Sequence, residues 1–353
     1  MREASRGSRS PEATPVSEVA AGLRSGTVAG QAADLFTRRL LAAGDAGTVA
    51  IPQVAKSKTA EKKPGGRDPV VDSQHLTLQH VTGQPFVQGS GDADAVDAND
   101  VGQGNLGDCW LMAAMMSVAR ASPATIKSLI KPRPDGKYDV TLHIAGARTY
   151  DAARNCHVAF KTVIVVVDSN FPSAPQDTFG SLLSAAMPAF ATPAFARKGD
   201  VSMWGFGVPE LWPMILERAV AVYRGGYTKL DEGYNIEGLE LLTGKSQNIF
   251  FLSEMSPGGA LAMLAYCVTH RVPVVISSAD PQLKSRAEKA KYDSLGIVGP
   301  HGYSLAAANV AAGTVDLDNP WGFQHLHGLS ITNVLTYFYS FAADVGKPAP
   351  AKK

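Results

Sequence analysis

Cys109, His301 and Asn319, taken in that order, are residue types that together can run nucleophilic chemistry. A cysteine attacks as its thiolate, and a helix N-terminus or an imidazole partner favours that form. Cys109 stands in QGNLGDCWLMAAMMSVA, residues 103–119, at the head of an apolar run. The pattern predicts a helix over Asp108–Arg120 whose first turn holds the sulfur, where unpaired N–H groups and the helix dipole favour negative charge. Asp108 is a natural N-cap. Gly102, Gly104 and Gly107 let the preceding loop approach a ligand closely. The Gln103 amide could donate to an oxyanion formed at an attacked carbonyl. The competing reading of Cys109 is plain core filling, the usual fate of a cysteine beside apolar residues.

His301 enters an expected strand, His301–Asn309, from the Gly-Pro turn of PHGYSL. Asn319 opens NPWG just past a second expected strand, Thr314–Leu317. Neighbouring strands would bring the two side chains together, with Asn319 accepting from the ring N–H to fix its tautomer and Trp321 shielding that bond from water. Taken singly, His301 is a structural histidine and NPWG a turn. In the order Gln, Cys, His, Asn each residue supplies a different need of one mechanism. His325 and His327 stand close enough to be considered as the base, but only His301 has the HxYS setting.

The elements that must position these residues follow from periodicity. KTVIVVVD, residues 161–168, is a dense β-branched run and reads as a buried strand. PELWPMILERAVAVY, residues 209–223, and the stretch Ser256–His270 read as helices opened by proline. Val272–Ser278 reads as a strand, and 180–196 is Ala-rich and Pro-punctuated. Helices are thus expected to dominate the first half of the body and strands the second, an α+β order without βαβ alternation.

Residues 1–17 are rich in Arg, Ser, Pro and Glu and read as disordered. A short amphipathic helix is expected near 31–43, and 56–69 reads as a linker. The net charge of +1 divides into +5 over residues 1–67 and −4 over the rest. No basic patch with interleaved aromatics appears, which argues against nucleic acid as a partner. Three cysteines with no zinc-ligand spacing argue against a disulfide framework or a zinc site. The N-terminal stretch lacks an apolar signal-peptide core, and no apolar run approaches the roughly 18 residues of a membrane span.

The segment DVGQGNLGDCWLMAAMMSVA, residues 100–119, closely resembles the QGxLGDCWxLAA active-site segment of the calpain family of papain-like cysteine proteases. VIVVVD, LWPMILERAVAVYRGGY, GYNIEGLELLTG, HGYSL and DLDNPWG follow in the family's order, over about residues 85–323. The resemblance implies a papain-like two-lobed core, with a helical lobe carrying Cys109 over 68–243 and a β-rich lobe carrying His301 and Asn319 over 244–345, flanked by tails 1–67 and 346–353. It implies an endopeptidase acting on protein or peptide substrates, with Gln103 and the Cys109 N–H as oxyanion hole. Substrate contacts are implied at Gly107, Trp110, Gly238, Pro300 and Trp321. No cofactor is implied for the chemistry. Calcium is implied as a regulator held by Asp100 and Glu217, for which a solvated acidic loop is the alternative reading. Pro300 replaces the family's glycine before the histidine and removes a backbone N–H. GFQHLHGLSITNV follows NPWG where the family has an acidic, Trp-bearing segment. Thiol acyl transfer to an amine and a non-catalytic binding module remain as alternatives. For location, the cytoplasm and a non-Sec bacterial secretion route read from the basic tail both stand.

Overall fold

The computed structural model describes residues 77–89, 92–103, 106–150, 156–173, 210–231, 233–281 and 285–345. The segments 1–67, 180–196 and 346–353 read from the sequence, with the helix near 31–43, lie outside them. In chain order the described elements begin with β1 (Thr77–His80), α1 (Cys109–Ala121), α2 (Pro123–Leu129), β2 (Ile130–Pro132), β3 (Tyr138–Tyr150), β4 (Cys156–Val167) and β5 (Asn170–Ser173). Then come α3 (Trp212–Arg224), α4 (Asn235–Thr243), β6 (Asn248–Phe251), α5 (Pro257–Thr269), β7 (Val274–Ser278) and α6 (Arg286–Ser294). The chain continues through β8 (Gly302–Asn309), β9 (Thr314–Asp318), β10 (Leu326–Ser330), α7 (Ile331–Tyr337) and β11 (Phe338–Ala343). The strands form a six-stranded sheet in the order β10-β9-β8-β7-β11-β6, a three-stranded sheet β2-β3-β4, and the pair β1-β5. Every pairing between these strands is antiparallel, so the architecture is α+β.

The six-stranded sheet separates two cores. Residues of β7 alternate between them, with Val275 in the first core and Val274 and Ile276 in the second. β11 does the same, with Ala342 in the first and Phe341 and Ala343 in the second. A strand buried on both faces needs a continuous apolar run, which VPVVISS supplies. The first core also holds α1, α3 and α4, and the second holds α5.

α1 is apolar all round, and every residue from Trp110 to Ala119 is buried. Such a helix must be covered on every side. It packs on α4 and on β7 and β8 of the sheet. Ser117, its one buried polar residue, donates to the Val274 carbonyl and accepts from the Val274 N–H at 3.1 Å. Ser117 Oγ also lies 3.2 Å from Ser304 Oγ on β8. The serine thereby locks the cysteine helix in register with the strand that follows His301.

Three expectations need correction. The run 161–168 forms a strand, but not a fully buried one: Ile164 is 65% exposed and Val166 46%, while Val167 is buried. β4 covers the core with one face only, through Val163, Val165 and Val167. The division into a helical first half and a β-rich second half is also too simple. The long β3–β4 hairpin lies in the first half, and α5, α6 and α7 in the second. α6 escapes hydrophobic periodicity because Tyr292 is its single buried residue; its start is set by a Ser285/Glu288 capping box. The third correction is Gly238. It is buried on α4, and a Cβ there would meet Trp110 O and Ala114 Cβ, each at 2.8 Å. It permits close approach of α4 to α1 rather than lining an exposed groove. No described helix is long and apolar enough to cross a membrane.

Gly238→Ala is therefore expected to destabilise the fold. Overpacking costs about 1–3 kcal/mol, and alanine's helix preference returns up to about 1 kcal/mol. The Trp110 carbonyl is helix backbone and cannot swing away, so the net is a loss, read as a lower urea midpoint.

Candidate active site

Cys109 is the first residue of α1, as its sequence setting predicts. Asp108 occupies the N-cap position, but its side chain makes no cap hydrogen bond. The carboxyl is instead buried near Glu217 and Gln103, neither of its oxygens has a hydrogen-bond partner among the described residues, and burial pushes its pKa up to about 7. Gln103 Nε2 donates to Leu106 O at 2.7 Å, and the Gln103 N–H donates to Pro320 O at 2.6 Å. The second bond ties the loop before the cysteine to the loop after Asn319. Gly104 lies outside the described residues; Gly107 is exposed in the turn before the helix.

His301 is held from both sides of its backbone. Its N–H donates to Ser278 Oγ at 3.0 Å, and its carbonyl accepts from the Ser278 N–H at 2.9 Å. Ser278 Oγ also donates to Val298 O at 2.6 Å, and the Tyr303 hydroxyl accepts from the Val298 N–H at 2.8 Å. The loop entering β8 is therefore pinned before the histidine is reached. The imidazole lies edge-on to Tyr303, with centroids 5.0 Å apart, and 5.2 Å from the Trp321 ring.

His301 Nε2 lies 2.9 Å from Asn319 Oδ1. The same oxygen accepts from the Trp321 backbone N–H at 3.1 Å. A backbone N–H can only donate, so the atom facing it must be the amide oxygen. His301 Nε2 must then carry the hydrogen, and in the neutral ring Nδ1 keeps the lone pair. Asn319 is fully buried, and its Nδ2 has no partner among the described residues.

The electrostatics correct one expectation. The Cys109 thiol is pushed up to about 11, chiefly by burial; a hydrogen bond from the Gly302 backbone lowers it and the Asp108 charge raises it. A helix terminus contributes about 0.3–1 kcal/mol, under one pKa unit, whereas desolvation shifts a buried group by up to about 3–5 units. Desolvation wins. His301 is lowered from 6.5 to about 4, again chiefly by burial, with the Asn319 bond opposing. Burial thus opposes the charged form of each group taken singly.

The remaining expected site residues separate into groups. Trp321 stands beside the imidazole. Pro300 is exposed and precedes His301 through a cis peptide from Gly299. Trp110 is buried, so it cannot offer its face to a ligand; its indole donates to Leu230 O at 2.9 Å and Arg224 covers its ring at 4.5 Å. Gly233, overlooked in the sequence, is exposed on that ring, and a Cβ there would fall 2.3 Å from Trp110 Cε2. Gly302 was also overlooked: its Cβ would lie 2.8 Å from Asn235 Oδ1 and 3.3 Å from Cys109 O. A glycine directly after the histidine, where the family pattern has alanine, was the available signal.

For calcium, Asp100 and Glu217 are both buried. Asp100 Oδ2 accepts from the Asp97 N–H at 2.6 Å and from the Trp212 indole at 3.1 Å. Its pKa is raised to about 6, chiefly by burial and with smaller contributions from the charges of Asp97 and Asp92, against the hydrogen bonds from Asp97 and Trp212. Among the described residues no three His, Cys, Asp or Glu side chains gather as a metal site. Calcium takes 6–8 oxygen ligands. Two carboxylates fit its chemistry only if backbone carbonyls and water complete the shell.

The histidine pKa has a consequence for stability. Between about 4 and 6.5 the unfolded chain binds a proton at His301 that the native state refuses. Stability contributed by this site is intact above 6.5 and falls as pH drops toward 4. The urea midpoint of the wild type should therefore fall relative to that of His301→Leu between pH 7 and pH 4.5.

The profile described as calpain family cysteine protease matches residues 90–331. The chain is 28% identical over 237 residues to the calpain-type cysteine protease DEK1 of Zea mays, covering 64% of this chain and 9% of that protein. It is 27% identical over 236 residues to the calpain-2 catalytic subunit of Gallus gallus, covering 65% and 29%. Calpain-13 of Rattus norvegicus is 25% identical over 229 residues, covering 63% and 29%. The matched region thus spans less than a third of each of these relatives. This chain belongs to the calpain family of cysteine proteases.

Proposed function

We propose that the chain is a cysteine endopeptidase that cleaves protein substrates through Cys109, His301 and Asn319. The observation that carries the reading is the tautomer of His301: Trp321 N and Nε2 share Asn319 Oδ1, which leaves Nδ1 as the base. As Cys109 Sγ attacks the peptide carbonyl, its proton passes to His301 Nδ1. His301 acts in this step as the general base. The oxyanion accepts from the Cys109 backbone N–H, unpaired in the first helical turn, and from the Gln103 amide hydrogen not bound to Leu106. The C–N bond then breaks and the imidazolium returns its proton to the departing amine. Water attacks the thioester, His301 takes its proton, and breaking the C–S bond releases the carboxylic acid and restores the thiol.

We extend the proposal to calcium at Asp100 and Glu217. Support comes from the buried Asp100 carboxyl, which burial and the charges of Asp97 and Asp92 push toward its neutral form and which a cation would keep ionised. Calcium would supply charge neutralisation there and takes part in no bond-making step. Calcium added to chelator-treated protein should raise the melting midpoint, as any ligand selective for the native state does. Glu217→Gln should abolish the rise; an unchanged midpoint in the wild type refutes calcium.

Cys109→Ala should abolish cleavage of a denatured protein while leaving the melting midpoint close to that of the wild type. Cleavage retained in the variant refutes the nucleophile. Amide formation to an added amine, without hydrolysis, converts the assignment to acyl transfer. Asn319→Ala should lower kcat/KM by about 100-fold, the scale of a misplaced catalytic group.

A further inference from the structure

His325 is not part of the family pattern, and the catalytic proposal leaves it without a task. Its Nδ1 accepts the backbone N–H of Asn319 at 3.1 Å. Asp318 lies at the end of β9 and pairs with Ser304 of β8, whereas the pairing of β9 with β10 ends at Leu317 and Leu326, so Asn319 lies beyond the ladder and has no partner in it. The imidazole supplies the missing acceptor. Asn319 is the residue whose Oδ1 orients His301, and three further contacts define its turn: Trp321 N to its Oδ1, Gly322 N to its carbonyl at 3.0 Å, and Gln103 N to Pro320 O.

The same Nδ1 lies 3.5 Å from Asp318 Oδ1. The other oxygen of Asp318 is paired with Arg120, in the last turn of the cysteine helix. The His327 ring lies 6.1 Å from the His325 ring. Asp318, Arg120 behind it and His327 are the charged or titratable groups recorded around His325 among the described residues.

An imidazole nitrogen accepts only when it carries no proton. A proton on Nδ1 would oppose two donors at 3.1 Å, while the Asp318 carboxylate offers that N–H a charged acceptor on the other side. We propose that His325 is a positioning residue that holds Asn319, and through it His301, only while its ring is neutral, so that acid disconnects the catalytic set through His325. The proposal rests on the endopeptidase reading above. Burial holds His301 below the usual imidazole range, and the His325→Asn variant, which keeps His301, separates the two rings.

The test compares wild type, His325→Leu and His325→Asn. The Asn variant keeps an acceptor close to the Nδ1 position and cannot titrate. Two readouts are followed from pH 4.5 to 8: kcat and KM on a denatured protein, and the rate at which iodoacetamide alkylates Cys109. His325→Leu is expected to lower kcat at least about 10-fold with KM changed less than about twofold, as for a group that positions without binding substrate. It should slow alkylation at pH 7 in parallel. His325→Asn should keep both rates within about threefold of the wild type at pH 7 and lose the wild-type acid limb. The proposal is overturned by a Leu variant as active as the wild type, by an Asn variant that falls as far as Leu, or by an unchanged acid limb in Asn. A wild type that cleaves nothing sinks the endopeptidase reading alone; alkylation still decides whether His325 controls the base at Cys109.

Discussion

The seating of α1 against the six-stranded sheet is the constraint on which the rest of this molecule depends. Cys109 belongs to the helix, while His301 and Asn319 belong to the sheet, so nothing at the site has meaning unless the two are in register. Apolar burial alone would let a helix of Ala, Met and Leu slide or rotate, because such contacts have little direction. Ser117 supplies direction by bonding both polar groups of Val274 and approaching Ser304. The Arg120–Asp318 pair repeats the restraint at the far end of the helix. Gln103 to Pro320 and Gly302 to the sulfur repeat it at the near end.

Burial that secures the register also sets the chemistry. The surroundings that lift the thiol to about 11 and lower the imidazole to about 4 are those that exclude water from the His301–Asn319 bond. Burial therefore opposes charge on each group, and the hydrogen bonds at Asn319 fix which imidazole nitrogen is free.

Much of this was legible in the residues. The apolar run after GDC marked α1, the proline openings marked α3 and α5, and the order Gln103, Cys109, His301, Asn319 marked the site. What stayed hidden depends on geometry between distant segments. The exposure of Ile164 and Val166 depends on what covers β4, which no local pattern encodes. Trp110 and Gly238 look like site residues beside a cysteine motif, yet they face each other across α1 and α4. Asp108 has the right type for a cap, but its carboxyl is buried and makes no cap bond. α6, with almost no apolar face, leaves only its capping box to be read. His325 could be noticed as a nearby histidine, but its hold on a backbone N–H depends on where the β9–β10 ladder ends.

Gly302 ties two parts of the chain together. The space beside its α-carbon is filled by the Asn235 side chain, which comes from α4 and bonds to Ser277 on the neighbouring strand. A methyl group at 302 and a carboxamide at 235 cannot both be accommodated without displacement. A methyl group at 302 would thus push the Asn235 carboxamide off Ser277, so a change beside the catalytic histidine would be felt 67 residues away in the chain, on the helix that packs against the cysteine helix.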